Sequence, residues 1–464
     1  VFVINPSQPP VTEQSGNVVP DANVITNNGK GLPESENGIY DVDFTKGNYV
    51  QNVTDQGYYL DGCPTVGSPG VLVIPVDFSD ATAKSKGYNI SSIKNAFEKG
   101  GKCDYYSVYD YYYISSYGKL TLDVTVLDFW FRPKHPSTYY ENYTEGNFLD
   151  EMAIGDQLVM DEALAYLEDR MDLSKFDSDK NGIIDSIVLI TTLDISEDDF
   201  HWAYRYWNYY TDDYDNYYKY DGVNANDYLW ASYEFLYEDK NGEFTDRSAM
   251  NTFTYIHEFG HILGADDYYD TAGIDDPMGG CDIMDDMTGD HNAFTKFNFG
   301  WLTNSRLVTT ESSITLTLDS FTKSGDSIIL ANTWDDALGA YQEYYIVVYY
   351  RNTGLNGTVN GTEYGYFSRD GILVYHVNAS LIKDSYDGEV FYDLAYNNTN
   401  YIDDYGTLNN LIEYVKSEDD TYTYVVGDSL PTVTNDRGRV LEYTFTVDAI
   451  EGDTATLTFT KKAE

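Results

Sequence analysis

His257, Glu258 and His261 form a His-Glu-x-x-His pattern at the start of the run HEFGHILGADDYYD, residues 257–270. Residues four apart on an α-helix share one face, so both imidazoles can bind a single zinc ion. The glutamate between them can then serve as general base for a water molecule at the metal. The chain has only 6 histidines, so a chance match is expected in roughly one in a few hundred such chains. The pattern predicts a zinc site that hydrolyses its substrate.

The third zinc ligand is not part of this pattern. In one class of zinc peptidases it is a glutamate on a later helix, but no glutamate lies between Glu258 and Glu311. In a second class the helix ends at a glycine, and the ligand comes six residues after the second histidine. Gly264 and Asp267 occupy these positions, and glycine tolerates the left-handed backbone of such a reversal. Asp267 is therefore the predicted ligand, and the alternatives are Asp266, Asp270 and His291.

Two further roles are expected downstream. Peptidases of the second class place a methionine in a tight turn beneath the metal. Met284 in GGCDIMDDM (279–287) is the first candidate and Met287 the second. The oxyanion formed during peptide hydrolysis needs a stabilising group besides zinc. Tyr269 is the candidate, with Tyr268 and His291 as alternatives.

A calcium loop is predicted in FDSDKNGIIDS, residues 176–186. Gly182 occupies the position that needs a sharp turn, and the main-chain carbonyl of Ile183 would supply one ligand. The side-chain ligands at alternate positions would be Asp177, Asp179, Asn181 and Asp185. Val188 stands where an EF-hand has its bidentate glutamate, so this loop is expected to lead into a strand. The predicted role of Ca²⁺ is structural.

Composition limits the partners. A net charge of −49 with only 28 Lys and Arg residues argues against nucleic acid or an anionic membrane, because phosphate binding needs basic patches. No run of about 18 apolar residues is present, so no transmembrane segment is expected.

The three cysteines, at 63, 103 and 281, allow at most one disulfide. Cys63 precedes the predicted catalytic domain, and its thiolate could cap the zinc ion in a latent form.

The patterning along the chain predicts three regions in an α+β protein. Residues 1–66 are rich in Asn, Gly, Pro, Ser and Asp, which is typical of an extended leader or the remnant of an N-terminal region. Residues 67–305 mix helix patterns with short apolar runs such as VLVIPVDF (71–78), as expected for a catalytic domain with a sheet and helices. Residues 306–464 contain short strand patterns separated by Gly, Asn and Asp turns, which predicts an all-β, sandwich-like domain.

Several of these segments together resemble the immune inhibitor A family of secreted bacterial metallopeptidases. The segments that carry the resemblance are HEFGHILGADDYYD, GGCDIMD, NAFTKFNFGWL (292–302), VLVIPVDFSD (71–80), SVYDYYYISSYGKL (107–120), DSDKNGIIDSIVLI (177–190), EYYIVVYYR (343–351) and GILVYHV (371–377). The resemblance covers about residues 70–380. It implies a metzincin-like catalytic domain, a twisted sheet with helices, followed by β-rich structure. One departure is Cys281, where the family usually has a tryptophan or another bulky residue.

The resemblance also implies roles at matching positions: His257, His261 and Asp267 as zinc ligands and Glu258 as general base. The predicted function is that of a bacterial, secreted or cell-surface zinc endopeptidase, a monomer that acts on protein or peptide substrates through a zinc-activated water molecule. The alternative is a non-catalytic adhesin or carbohydrate-binding protein with a vestigial peptidase domain. The presence of Glu258 favours the enzyme.

Overall fold

The computed structural model describes most of the chain and shows a mixed α/β protein, which agrees with the predicted α+β class at that level. The residues it describes are 24–25, 30–35, 37–47, 63–143, 154–196, 199–207, 219–237, 250–270, 277–286, 288–359, 362–363, 367–386, 389–398, 410–436 and 438–463. Contacts group the chain into two compact units. The parallel-sheet unit comprises Asp61–Ala265 and Val359–Thr362, and the β-rich unit comprises Val1–Leu60, Asp266–Thr358 and Glu363–Glu464.

The elements are numbered in chain order. The strands are Val24–Ile25 (β1), Ile39–Asp43 (β2), Gly70–Val76 (β3), Asp123–Val126 (β4), Ser186–Thr191 (β5), Tyr204–Trp207 (β6), Lys219–Tyr220 (β7), Val223–Asn224 (β8), Asp227–Ser232 (β9), Asn304–Val308 (β10), Ser313–Asp319 (β11), Ser327–Leu330 (β12), Glu343–Tyr350 (β13), Thr358–Val359 (β14), Thr362–Glu363 (β15), Gly371–Asn378 (β16), Leu381–Tyr386 (β17), Glu389–Leu394 (β18), Ile412–Tyr414 (β19), Tyr443–Glu451 (β20) and Thr454–Lys461 (β21). The α-helices are Ala83–Lys86 (α1), Ile90–Phe97 (α2), Val108–Ser115 (α3), Ser137–Glu141 (α4), Ile154–Glu168 (α5), Phe253–Ile262 (α6), Ile283–Asp286 (α7), Ala293–Asn298 (α8) and Phe321–Ser324 (α9). Short 3₁₀ helices occupy Phe44–Lys46, Leu173–Phe176, Asp199–His201, Tyr233–Tyr237 and Gly354–Asn356.

The parallel-sheet unit is built on a five-stranded sheet with the strand order β4-β3-β5-β9-β6. Strand β3 pairs in parallel with β4 and β5, and β5 pairs in parallel with β9. Only the edge strand β6 runs antiparallel to its neighbour. Every residue of β3 and β5 is buried, as expected for parallel strands covered on both faces.

Helix α6 carries the His-Glu-x-x-His pattern and is buried in this unit along nearly its whole length. Two tyrosine hydroxyls fix its position. The Tyr255 hydroxyl donates to the Ser232 carbonyl at the end of β9 (2.7 Å), and the Tyr112 hydroxyl of α3 donates to the Ile256 carbonyl (2.6 Å). The helix is thus attached to the sheet on one side and to α3 on another.

The β-rich unit contains a six-stranded sheet, β19-β16-β13-β12-β10-β2, and a three-stranded sheet, β11-β21-β20. Both sheets contribute to one hydrophobic core. The first supplies residues such as Val347 and Val374, and the second supplies Phe445, Leu457 and Phe459. A further three-stranded sheet has the order β1-β17-β18.

These units differ from the predicted boundaries at 66 and 305. Strand β2 lies within the predicted leader, yet it pairs with β10 through five residue pairs and completes the edge of the six-stranded sheet. The segment that follows α6 belongs to the β-rich unit. In that segment the Pro277 carbonyl accepts from the Tyr414 amide (2.8 Å), and the Tyr268 carbonyl accepts from the Asn398 side chain (3.1 Å). The rest of the predicted leader, apart from 24–25, 30–35, 37–47 and 63–66, lies outside the described residues.

The described helices are short. The longest, α5, has 15 residues. In the described part of the chain no helix is long and apolar enough to cross a membrane, in agreement with the sequence prediction.

Candidate metal centres

The turn at the end of α6 forms as the sequence predicts. The Leu263 amide donates to the Phe259 and Gly260 carbonyls, and the Ala265 amide donates back to the Gly260 carbonyl at 2.9 Å. Gly264 has φ +93°, and a Cβ added there would meet no atom within 4 Å. The requirement for glycine is therefore one of backbone conformation, not of space. This reversal returns the chain toward the histidines.

His257, His261 and Asp267 lie together. One ligand atom from each lies within 4.8 Å of the others. The side chains of His257 and Asp267 are 5% and 3% exposed, and the two imidazole rings are 4.9 Å apart at an interplanar angle of 84°. The described residues that form this group include neither Asp266, Asp270 nor His291, so the geometry favours Asp267 over the three alternatives.

Neighbouring groups orient two of the three candidate ligands. His261 Nδ1 lies 2.8 Å from the Ala265 carbonyl oxygen, which favours the tautomer protonated at Nδ1 and makes Nε2 the electron-pair donor. The Tyr269 hydroxyl donates to Asp267 Oδ2 at 2.9 Å. Contacts of this kind around a metal site fix the direction of its ligands. Two imidazoles and one carboxylate are a donor set suited to catalytic zinc, so these residues fit the ion that the sequence predicts.

Glu258 is 3% exposed and follows His257 on α6. Its place beside the candidate ligands, in a buried environment, suits the predicted role of general base. The motif predicts this position from the sequence, and the structure adds that the side chain is buried.

The candidates for oxyanion stabilisation have different surroundings. The Tyr269 hydroxyl, the first candidate, is directed to Asp267, which points to a positioning role for this residue; its role at the oxyanion stays a prediction. The Tyr268 hydroxyl lies 2.6 Å from Thr295 Oγ1 in the buried interior. His291 is 1% exposed and packs edge-on against Trp301.

Met284 is fully buried, next to the segment that holds Asp267. Its carbonyl accepts a hydrogen bond from the Tyr268 amide at 2.8 Å, and its amide donates to Asp282 Oδ1 at 2.8 Å. Asp282 Oδ2 also accepts from the Asn292 amide and side chain. Burial raises the pKa of Asp282 to about 7 against the lowering effect of these hydrogen bonds. Asp282 thus holds the start of α7, the short helix that contains Met284, a contribution that the sequence did not indicate. The position of Met284 in a turn beneath the metal stays a prediction. Met287 lies outside the described residues.

The predicted calcium loop brings its carboxylates together. Ligand atoms of Asp177, Asp179 and Asp185 lie within 4.8 Å of one another. Gly182 has φ +89°, and its amide donates to Asp177 Oδ2 at 3.1 Å. Within the described residues Asp177 Oδ1 is buried and has no hydrogen-bond partner, as expected of an atom that binds a cation. The oxygen-rich donor set fits Ca²⁺.

The same loop is attached to the central sheet. As predicted, it leads directly into a strand, β5. Asp185 Oδ2 accepts from the Gly70 amide at the start of β3 (2.6 Å), and Ile183 forms a parallel bridge with Asn224. The Ile183 amide donates to Asn181 Oδ1 at 2.8 Å. The Asn181 side chain therefore helps to fix the conformation of the loop. A cation here would stabilise the start of two central strands.

Cys63, Cys103 and Cys281 are free thiols. Burial, with the neighbouring charges of Asp185 and Asp227, raises the pKa of the Cys63 thiol well above its ordinary value. Its charged neighbours therefore include a calcium-loop carboxylate. Cys63 is a described residue and does not belong to the group formed by His257, His261 and Asp267, so the structure gives no support to the latent form in which Cys63 caps zinc.

Comparison with protein-family models and with curated proteins gives no match for this sequence.

Proposed function

We propose that this protein is a secreted zinc-dependent endopeptidase of the immune inhibitor A type. The observation that carries the proposal is the convergence of His257, His261 and Asp267 at the end of one buried helix, with Glu258 beside them. Two imidazoles, a carboxylate and an adjacent glutamate are what metal-assisted peptide hydrolysis needs.

The catalytic roles follow from these positions. A zinc ion held by the three ligands would lower the pKa of a water molecule and polarise the scissile carbonyl. Glu258 accepts a proton as the water oxygen bonds to the carbonyl carbon, and it delivers that proton to the amine nitrogen as the C–N bond breaks. The Ala265 carbonyl keeps the His261 ring in the required tautomer, and the Tyr269 hydroxyl holds the Asp267 carboxylate.

The architecture supports the same proposal. The five-stranded, largely parallel sheet with α6 attached to it suits a metzincin-like catalytic domain. The two sheets that share one core in the β-rich unit suit a sandwich-like domain. Ca²⁺ at Asp177, Asp179 and Asp185 would have a structural role, because the loop is hydrogen-bonded to the start of β3 and leads directly into β5.

Metal reconstitution tests the proposed function. Protein stripped with a chelator and then saturated with Ca²⁺ should not cleave casein until zinc is added. Activity should rise with zinc and reach its maximum when the site at His257 and His261 is filled, with His257→Ala/His261→Ala protein as the inactive control. If the zinc-loaded wild type cleaves neither casein nor a peptide library, the endopeptidase proposal is wrong.

A further inference from the structure

A third group of ligand-type side chains lies on the six-stranded sheet of the β-rich unit. Glu343 is the first residue of β13, His376 lies in β16, and Asp436 lies between β19 and β20. One ligand atom from each lies within 4.8 Å of the others. His376 is 5% exposed, whereas Asp436 reaches the surface, so a cation could enter from solvent.

Sheet register sets the direction of the imidazole. His376 pairs with Tyr345 on β13 and with Glu413 on β19. Its ring stacks on the Tyr345 ring, with 4.7 Å between centroids and an interplanar angle of 20°. Nδ1 lies 2.9 Å from Glu413 Oε1, and Nε2 lies 3.0 Å from Glu343 Oε1. A metal-binding histidine usually donates one ring N–H to a carboxylate and binds the metal through the other nitrogen. Here Glu413 is the carboxylate at Nδ1, and Nε2 faces the candidate ligands.

A closed turn brings Asp436 to the same place. The Asn435 amide donates to the Arg439 carbonyl at 2.9 Å, and the Asp436 amide donates to Glu343 Oε1 at 2.7 Å. The Asn435 side chain donates to Glu343 Oε2 at 3.1 Å, and the Asn378 side chain donates to Asp436 Oδ2. Both carboxylates are therefore held by groups outside the candidate ligand set, so their directions are set before any cation binds.

The charges favour a cation. Three carboxylates, those of Glu343, Glu413 and Asp436, surround one imidazole that is almost fully buried. Even a protonated imidazole would leave an excess of negative charge in this partly buried group, and burial of unbalanced charge is costly. Arg439 lines the neighbouring cavity, but the three carboxylates still outnumber the cationic groups.

We propose that Glu343, His376 and Asp436 form a second site for a divalent transition-metal ion of the zinc class, with Glu413 as a positioning residue for the imidazole. An imidazole ligand selects such ions over Ca²⁺ or Mg²⁺. Ligand atoms about 2.0–2.1 Å from a tetrahedral zinc lie roughly 3.3 Å apart, so the 3.0 Å between His376 Nε2 and Glu343 Oε1 needs only a small adjustment. A cavity of about 50 Å³, lined in part by Glu343 and Asn435, adjoins the site and has room for a water ligand.

The rival occupant of the site is a proton. Although burial lowers the pKa of His376, its hydrogen bonds to Glu343 and Glu413 raise that pKa to about 10. An imidazolium that donates to both carboxylates would therefore persist at neutral pH without metal. Metal binding would displace the Nε2 proton. The protonated site and the metal-binding site therefore differ in one measurable property, which is whether the protein takes up a transition-metal ion there.

Cobalt(II) distinguishes the two states. The His257→Ala/His261→Ala protein, saturated with Ca²⁺, is titrated with Co²⁺, and its visible absorption and bound metal are measured. We expect one equivalent to bind with the absorption of a nitrogen- and oxygen-ligated ion. Glu343→Gln or Asp436→Asn should abolish this binding, and Glu413→Gln should weaken it by about 10- to 100-fold. The exposed Glu418→Gln is the matched control and should change nothing.

Zinc content of the otherwise unaltered protein provides a second measurement that does not depend on the double variant. Wild type should retain two zinc ions per chain after dialysis, and Glu343→Gln or Asp436→Asn should retain one, with casein cleavage unchanged if the proposed function is right. The site is refuted if the folded double variant takes up no Co²⁺, or if uptake persists in both Glu343→Gln and Asp436→Asn. A protein that binds the second ion but cleaves nothing would refute the proposed peptidase alone.

Discussion

The Tyr269 hydroxyl donates a 2.9 Å hydrogen bond to Oδ2 of Asp267, two residues earlier in the chain. This contact connects the residue expected at the oxyanion with the predicted third zinc ligand. A hydroxyl that donates to a ligand carboxylate fixes its direction and leaves the other oxygen to the metal. Tyr269 could orient the Asp267 carboxylate or stabilise the oxyanion, and these two roles lead to different expected results when the residue is substituted.

Tyr269→Phe should weaken zinc binding by about 10- to 100-fold, because Asp267 loses the group that orients it. Activity per zinc-loaded molecule should then stay close to that of the wild type. Zinc affinity from a chelator competition and kcat at saturating zinc are the two measurements, with Tyr113→Phe, which alters an exposed tyrosine, as the control. A kcat loss of about 10²- to 10³-fold at full zinc occupancy would assign Tyr269 to the oxyanion instead.

The three neighbouring aspartates should respond differently to substitution. Asp267→Ala removes a member of the ligand group and should lose zinc together with activity. Asp266→Ala and Asp270→Ala should largely keep both, because neither residue belongs to that group. Metal analysis after gel filtration measures the outcome. Zinc retained by Asp267→Ala and lost by Asp266→Ala or Asp270→Ala would transfer the ligand role to the neighbouring aspartate.

Calcium should stabilise the protein without taking part in chemistry. A ligand at 100 times its Kd adds about 2.7 kcal/mol to the free energy of unfolding, so removing Ca²⁺ with a selective chelator should lower Tm by several degrees. Asp179→Asn should reduce this shift, because Asp179 belongs to the loop group. The exposed Asp169→Asn is the control and should respond as the wild type does. An equal calcium response in Asp179→Asn and wild type would exclude this loop as the site.

Asp156 should make stability depend on pH. Burial raises its pKa to about 7, against the lowering effect of hydrogen bonds from the Tyr228 and Tyr204 hydroxyls. The folded protein therefore binds a proton at this carboxyl that the unfolded chain, with a pKa near 3.8, has released. The contribution is present below about pH 4 and is lost as pH rises to about 7, with a slope of at most about 1.4 kcal/mol per pH unit.

The test of this slope is the free energy of unfolding of wild type and Asp156→Asn, measured in urea between pH 4 and 8. The difference between the two proteins should shift in favour of Asp156→Asn as pH rises through this window. Asp169→Asn controls for loss of a surface charge. Parallel pH profiles for wild type and Asp156→Asn would mean that Asp156 is ionised in the folded protein throughout.

The sequence could predict those parts of the site whose residues all lie in one short segment of the chain. Helical spacing places His257 and His261 on one face, Gly264 supplies the left-handed turn, and Asp267 follows at a fixed distance. The calcium loop is equally local. The Tyr269–Asp267 contact could not be singled out, because the chain has 47 tyrosines and spacing alone does not show where a hydroxyl is directed.

The parts that the sequence could not predict depend on strands that are far apart in the chain. Strand β2 pairs with β10, although the composition of its surroundings is that of a leader. Glu343, His376 and Asp436 meet through the antiparallel register of β13 with β16 and through the hydrogen bond from the Asp436 amide to Glu343. Strand patterns predict a half-buried or buried face, but they do not identify the partner strand or the register.

The most direct test of the peptidase account is Glu258→Gln, assayed for zinc content and casein cleavage together. Glutamine keeps the size of the side chain but cannot accept the proton, so zinc should remain bound while kcat falls by about 10²- to 10⁴-fold. The exposed Glu418→Gln should match wild type in both measurements. Wild-type cleavage by zinc-loaded Glu258→Gln would contradict the account, because peptide hydrolysis would then not depend on the proposed general base.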